Sequence, residues 1–190
     1  MAEKLIQLAI DLDEVVFDYV GGVREYGKTK GVILPDSEPS HFSMTESGWF
    51  KTMSDFHEFH RGAVVDNIYQ NLKVIEGASE TLHELSDSGY GINILTSRFV
   101  LPRQHNLVVT QTVNALDMFD IPYSNITFSN EKWRHKYDAY FEDAPHNLIP
   151  LQEHGLYTVT FDRLWNRDVP GDRARGWSEF REVLKGKFGK

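Results

Sequence analysis

Five short apolar runs recur along this chain, and stretches with helical spacing lie between them. The runs are LIQLAI (5–10), GINILTS (91–97), NITF (125–128), AYFED (139–143) and LYTVTF (156–161). Strands covered on both faces read as near-continuous apolar runs rather than as alternations. Ala78, Leu82 and Leu85 fall on one helical face before the second run. Val108, Val109, Val113, Leu116 and Phe119 make an amphipathic helix after it, and WSEFREVL (177–184) reads as a closing helix. Strands separated by helices predict an α/β fold, a Rossmann-like parallel sheet with right-handed crossovers and helices on both faces.

Residues 32–75 break the alternation. They carry Pro35 and Pro39, then GWFKTMSDFHEFHRGAVVDNIYQNL, with no run of the strand type. The stretch is expected to form a small, aromatic-rich helical cap inserted after the first strand. Residues 1–31 and 76–190 then make up the α/β core, and 32–75 the cap over the sheet's edge.

The 190 residues suffice for one domain with a sizeable core, and 41% hydrophobic with 25% charged residues is ordinary globular composition. The chain contains no cysteine, which excludes disulfides, thiolate metal sites and cysteine nucleophiles. No run approaches the ~18 apolar residues of a membrane span, and the N-terminus does not read as a secretory signal, so no membrane partner is expected and the expected location is cytoplasmic. A net charge of −8 argues against polymeric nucleic acid as a partner. It leaves room for a small anionic ligand, because a bound metal or local positive charge can override the global sign. The oligomeric state is left open, with a homodimer as the assembly to test for.

Carboxylates are costly to dehydrate, yet several stand directly against the apolar runs. Asp11 and Asp13 follow the first, Thr96 and Ser97 end the second, Glu142 and Asp143 end the fourth, and Lys132 lies between the third and fourth. One aspartate at a strand end is most often a cap or turn residue. Four such clusters have a second reading, since open parallel sheets bind their ligands at the carboxyl ends of their strands.

IDLDEVV, ILTS, a lysine and FEDAPHN, in this order, resemble the four-motif pattern of the haloacid dehalogenase (HAD) superfamily of phosphatases. Lys132 ten residues before Glu142, DYVGG after the first motif, the long insert and the C-terminal Trp-containing helix are similar to the 5′(3′)-deoxyribonucleotidase (5′-nucleotidase type C) family. The resemblance covers nearly the whole chain. It implies the HAD fold and an Mg²⁺-dependent phosphomonoesterase acting on a small phosphorylated metabolite, a nucleoside monophosphate first among them. It further implies that Asp11 is the nucleophile and Asp13 the general acid and base. Asp11, the backbone carbonyl of Asp13 and Asp143 would hold Mg²⁺, with Glu142 orienting a metal-bound water. Thr96 would hydrogen-bond the phosphoryl oxygens, and Lys132 would neutralise charge on nucleophile and phosphate.

The chemistry is consistent with that assignment. Phosphate monoesters hydrolyse very slowly unaided, so a catalyst needs a nucleophile, charge neutralisation and a proton for the leaving group. Two features depart from the family pattern: Glu14 stands where many members carry Gly, and the acidic pair is Glu-Asp rather than Asp-Asp. Lys136 is the rival to Lys132.

Weaker signals complete the reading. Ser97 and Arg98 are expected to contact the substrate phosphate, and Trp49 and Phe50, with Phe56 and Tyr69, to stack on a base or sugar. His57 and His60 have helical i, i+3 spacing but no third ligand nearby, and read as a polar pair on the cap surface. Arg163, Arg167, Arg173 and Arg175 read as a solvated loop. The alternatives are a HAD phosphatase for another phosphometabolite, a receiver-like domain that accepts phosphate on aspartate, and a catalytically silent phosphate-binding protein. A receiver-like domain has its acidic pair first and its accepting aspartate later, the reverse of the order here.

Overall fold

A computed structural model describes residues 5–98 and 102–189. Its centre is a parallel sheet of six strands: β1 (Ile6–Ile10), β2 (Tyr90–Thr96), β3 (Asn125–Phe128), β4 (Ala139–Glu142), β5 (Thr158–Phe161) and β6 (Asp172–Ala174). The spatial order is β3-β2-β1-β4-β5-β6, which puts β1 in the middle with β2 on one side and β4 on the other. All five ladders are parallel. The five apolar runs of the sequence supply the first five strands. β6 was not anticipated, because its three residues, Asp-Arg-Ala, carry no apolar run and form an edge.

Helices α4 (Ala78–Asp87), α5 (His105–Met118), α6 (Pro145–Glu153) and α7 (Trp177–Phe188) make up the rest of the core. Ala78, Leu82 and Leu85 of α4 are buried as their spacing predicts. In α5 the buried stripe is Val108, Gln111, Thr112, Ala115 and Leu116, while Val109 is turned outward. The α7 side chains Trp177, Phe180 and Leu184 are buried, and the Phe180 ring stacks on Phe141 of β4 at 3.8 Å between centroids.

Ahead of these lie α1 (Tyr19–Thr29), α2 (Met53–Val65) and the short α3 (Ile68–Asn71). α1 was not anticipated. The Asp18 side chain caps it by accepting from the Gly21 amide at 2.7 Å. α2 begins at a capping box in which Thr52 and Asp55 satisfy each other's backbone amides. Only the second half of the 32–75 stretch is helical. From residue 30 to 52 the backbone is turns and bends, where Pro35, Pro39 and a run of Ser and Thr compete with helical hydrogen bonding. α3 packs against α1, α2 and α5, so the inserted stretch rests on the face of the core beside the carboxyl ends of β1 and β2.

Candidate functional site

The register of the sheet brings the polar strand ends together. Ile10 pairs with Ile94 of β2 and with Phe141 of β4, so Asp11, Thr96 and Glu142 leave the sheet within one or two residues of the same level. The Asp11 amide donates to the Phe141 carbonyl at 3.0 Å, which fixes where its side chain begins. A cavity of about 450 Å³ opens there, walled by Asp11, Asp13, Thr96, Ser97, Arg98 and Asp143 from the core. Tyr19, Phe42, Met44, Met53, Phe56, His57, His60 and Tyr69 close the other side.

Lys132, on a 3-10 turn between β3 and β4, is buried and bridges two carboxylates. Its ammonium donates to Asp11 Oδ1 at 2.6 Å and to Glu142 Oε2 at 2.5 Å. Burial alone would pull its pKa down, but the two carboxylates outweigh that and hold it above the ordinary lysine value. Lys136 is exposed, with its ammonium 3.4 Å from the Trp133 carbonyl, so the structure brings Lys132 and not Lys136 to Asp11.

Three carboxylates face one another beside that lysine. One oxygen each of Asp11, Glu142 and Asp143 can be chosen within 4.8 Å of one another, all from buried residues. Burial, then the neighbouring Glu142 carboxylate, raises the Asp11 pKa to about 6 despite Lys132. Asp143 is pushed well above the carboxylate range by burial and by Glu142 and Asp11. One ammonium does not balance three buried acids, and an all-oxygen set left short of positive charge fits a hard divalent cation.

The carboxylates differ in how far they are committed. Glu142 Oε1 accepts the Asp143 and Ala144 amides at the start of α6, and Oε2 accepts Asn147 Nδ2 at 3.1 Å in addition to Lys132. Among the described residues, Asp143 Oδ2 accepts only the Trp165 indole N–H, at 3.1 Å, while Asn166 holds the Asp143 carbonyl at 2.8 Å. Glu142 is a braced group, and Asp143 has oxygen left to offer.

Asp13 faces the cavity but its partner was not anticipated. Arg98 grips it through Nε and Nη2, with side chains 0% and 25% exposed respectively. The arginine is thus engaged with protein, and it is also among the residues that line the cavity. Burial raises the Asp13 pKa, and Arg98 opposes it. The Thr96 hydroxyl accepts the Arg98 amide at 3.1 Å, and the Ser97 hydroxyl donates to the Ser129 carbonyl at 3.0 Å.

Trp49 and Phe50 are set back from the cavity. Trp49 is buried under the Arg24 guanidinium, 4.9 Å from its ring centroid, and Phe50 packs between Phe56 and Phe59. Neither lines the cavity. Aromatic content marks a subdomain's own core as readily as a ligand wall, and here the two residues precede α2 on its packed side. Of the four aromatics considered, Phe56 and Tyr69 reach the cavity, joined by Phe42 and Tyr19, which spacing did not single out.

Of the two histidines, His57 borders the cavity half-buried and His60 lies inside the packing. His60 is buried, its Nδ1 within 2.9 Å of the Tyr19 hydroxyl and its Nε2 within 3.3 Å of the Tyr69 hydroxyl. Burial lowers its pKa to about 4, so the ring is neutral with both nitrogens occupied.

The arginine-rich stretch divides in two. Arg167 and Arg175 are exposed, whereas Arg173 bonds Asp162 and Asn166 and Arg163 pairs with Glu14 (Nε to Oε2, 3.3 Å). Glu14 takes a left-handed backbone, φ 61°, a conformation glycine adopts without strain. Arg163 Nη2 on its carbonyl (2.7 Å) and the Val20 amide on its carboxylate (2.6 Å) tie that turn in place.

Comparison with known proteins gives matches along almost the whole chain. The family model described as 5′ nucleotidase, deoxy (pyrimidine), cytosolic type C protein matches residues 4–188. A Chlorobaculum tepidum protein provisionally named 5′(3′)-deoxyribonucleotidase is 34% identical over 187 residues, 97% of this chain and 93% of its own length. Among solved structures, a haloacid dehalogenase-like hydrolase from Streptococcus pneumoniae superposes with a TM-score of 0.66 at 15% identity, covering 95% of this chain and 98% of that one. A predicted phosphatase from Clostridium acetobutylicum gives 0.67 at 15% identity, covering 96% and 100%. At that identity the superpositions establish a shared fold. No helix of the described residues is long and apolar enough to cross a membrane.

Proposed function

The chain belongs to the 5′ nucleotidase, deoxy (pyrimidine), cytosolic type C family, and from that premise we propose that it is a cytoplasmic Mg²⁺-dependent phosphomonoesterase acting on deoxynucleoside monophosphates through an aspartyl-phosphate. The observation that carries this reading is the placement of Asp11. It follows directly on the central strand, lines the cavity, and has one oxygen bound to Lys132 at 2.6 Å.

Asp11 attacks phosphorus through a carboxylate oxygen, and the bond from phosphorus to the ester oxygen breaks. Asp13 gives its proton to the departing oxygen, which leaves as the nucleoside hydroxyl. Asp13, now a carboxylate, then takes a proton from the water that attacks the aspartyl-phosphate. Inorganic phosphate departs and Asp11 is restored. Thr96 and Ser97 border the phosphate end of the cavity, and Lys132 offsets the charge that collects on Asp11 and the phosphoryl oxygens.

Asp11, Asp143 and the Asp13 carbonyl would hold the magnesium ion, with Glu142 braced behind them. The ion supplies positive charge where two carboxylates and a phosphate dianion must meet. Phe42, Met53 and Phe56 give the far side of the cavity an apolar wall suited to the face of a base.

A phosphate-release screen over deoxynucleoside, ribonucleoside and sugar monophosphates, with and without Mg²⁺, tests the reading. Turnover led by deoxynucleotides and dependent on Mg²⁺ is the expected result. Preference for a sugar phosphate would move the assignment to another phosphometabolite, and no turnover on any ester would overturn it.

A further inference from the structure

Arg98 follows the Thr96–Ser97 pair directly, and each of its three guanidinium nitrogens already donates to a protein group. Nε lies 3.1 Å from Asp13 Oδ1 and 3.3 Å from Oδ2, and Nη2 lies 2.9 Å from Oδ1. Nη1 donates to the Thr112 hydroxyl at 3.0 Å, and that hydroxyl donates to the Val108 carbonyl one turn back in α5 at 2.7 Å. The guanidinium also lies over the Tyr69 ring at 4.4 Å and near the Phe17 ring at 5.3 Å. Its position is therefore fixed on three sides by groups outside the reaction.

The grip on Asp13 is uneven. Oδ1 takes two of the short contacts, while Oδ2 has one long contact and belongs to a side chain that is one-quarter exposed toward the cavity. We propose that Arg98 is the positioning residue of Asp13. Tethered to α5 through Thr112, it pins Oδ1 and leaves Oδ2 as the oxygen that exchanges protons with the ester oxygen and with water. A planar fork suits this task, because two donors in one plane fix the rotation of a carboxylate and a lysine ammonium does not.

This inference rests on the phosphatase reading above, and its test separates the two. Kcat/KM reports the steps up to departure of the leaving group. A deoxynucleotide releases an alkoxide that needs a proton, whereas p-nitrophenyl phosphate releases a phenolate that leaves without one. In Arg98→Met, kcat/KM on the deoxynucleotide is expected to fall about a hundredfold, the low end of what a positioned acid contributes. On p-nitrophenyl phosphate it should fall less than about fivefold, and the inhibition constant of inorganic phosphate should stay within about twofold. Asp13→Asn should show the same split, and Arg98→Lys should recover only part of the loss.

Should Arg98→Met not fold, Thr112→Val removes only the tether, and it should give a smaller loss with the same preference for the nucleotide. Equal losses on both esters together with weakened phosphate inhibition would make Arg98 a substrate contact and overturn the proposal. So would unchanged kinetics in both the Arg98→Met and Thr112→Val proteins. A wild-type enzyme that hydrolyses neither ester overturns the phosphatase reading, and this inference with it.

Discussion

The Lys132 ammonium stands 2.6 Å from Asp11 Oδ1 and joins the end of β1 to the end of β4 through its second contact, with Glu142. The pair sits beside a third buried acid, so it is a site under electrostatic load rather than a neutral salt bridge.

Asp11→Asn is expected to abolish turnover without lowering thermal stability. The amide keeps the size of the side chain and can still meet Lys132, but it cannot attack phosphorus and binds a hard cation poorly. Removing one of three crowded buried charges relieves repulsion. Kcat and the melting temperature, measured side by side, check both halves. More than about a tenth of wild-type kcat would remove Asp11 as nucleophile, since loss of the covalent route should cost several kcal/mol.

EDTA should eliminate activity and lower the melting temperature, and Mg²⁺ should restore both. A cation that binds only the folded carboxylate cluster stabilises it by mass action. Ca²⁺ should restore stability better than rate, because its larger, looser shell disturbs in-line geometry. Full activity in excess chelator is the contrary outcome.

Phe56→Ala should erode the preference for nucleotides over sugar phosphates, by up to the ~1–3 kcal/mol that stacking on a base contributes. Trp49→Ala should leave that preference intact and cost about 3–5 kcal/mol of stability instead, the range for emptying a buried tryptophan site. Kcat/KM ratios across substrates, with denaturant midpoints for each variant, separate the two effects.

His60 makes a prediction about acid. Its pKa is near 6.5 in an unfolded chain and about 4 in the fold, so between those values the unfolded state binds the extra proton. The stability that comes from keeping the ring neutral is complete above about pH 6.5 and is lost as pH falls toward about 4. The difference in stability between wild type and His60→Gln should shrink by about 3 kcal/mol over that interval. Denaturant melts at both ends of the interval measure it, and a constant difference would mean that the ring is solvated.

The strand ends were readable because each combines two strong local signals, an apolar run and a polar residue that ends it. Asp11, Thr96, Glu142 and Asp143 converge once the strands are parallel and adjacent. Lys132 was harder, since a ten-residue spacing and not a local pattern distinguished it from Lys136. The Arg98–Asp13 contact could not be read from sequence neighbours, because Asp13 and Thr112, which hold the guanidinium, lie in other parts of the chain. Trp49 and Phe50 lie in irregular backbone, where no period says which side faces the cavity. α1 was hidden by DYVGGVREYGKT, in which glycines and β-branched residues dilute the helical pattern, and tertiary contact with α3 overrides that weakness.

The strand that leads into Asp11 has no strand partner nearby in sequence. β1 pairs with β2 and β4, and the turn that follows it is held by the Trp177 indole, which donates to the Val15 carbonyl at 3.0 Å across 162 positions. Long-range pairings of this kind form late and together. Catalysis thus doubles as a gauge of complete folding: during refolding, phosphate release should appear in step with burial of Trp177 and not before. A destabilising substitution far from the cavity should then lower the fraction of active molecules while each survivor keeps its normal KM.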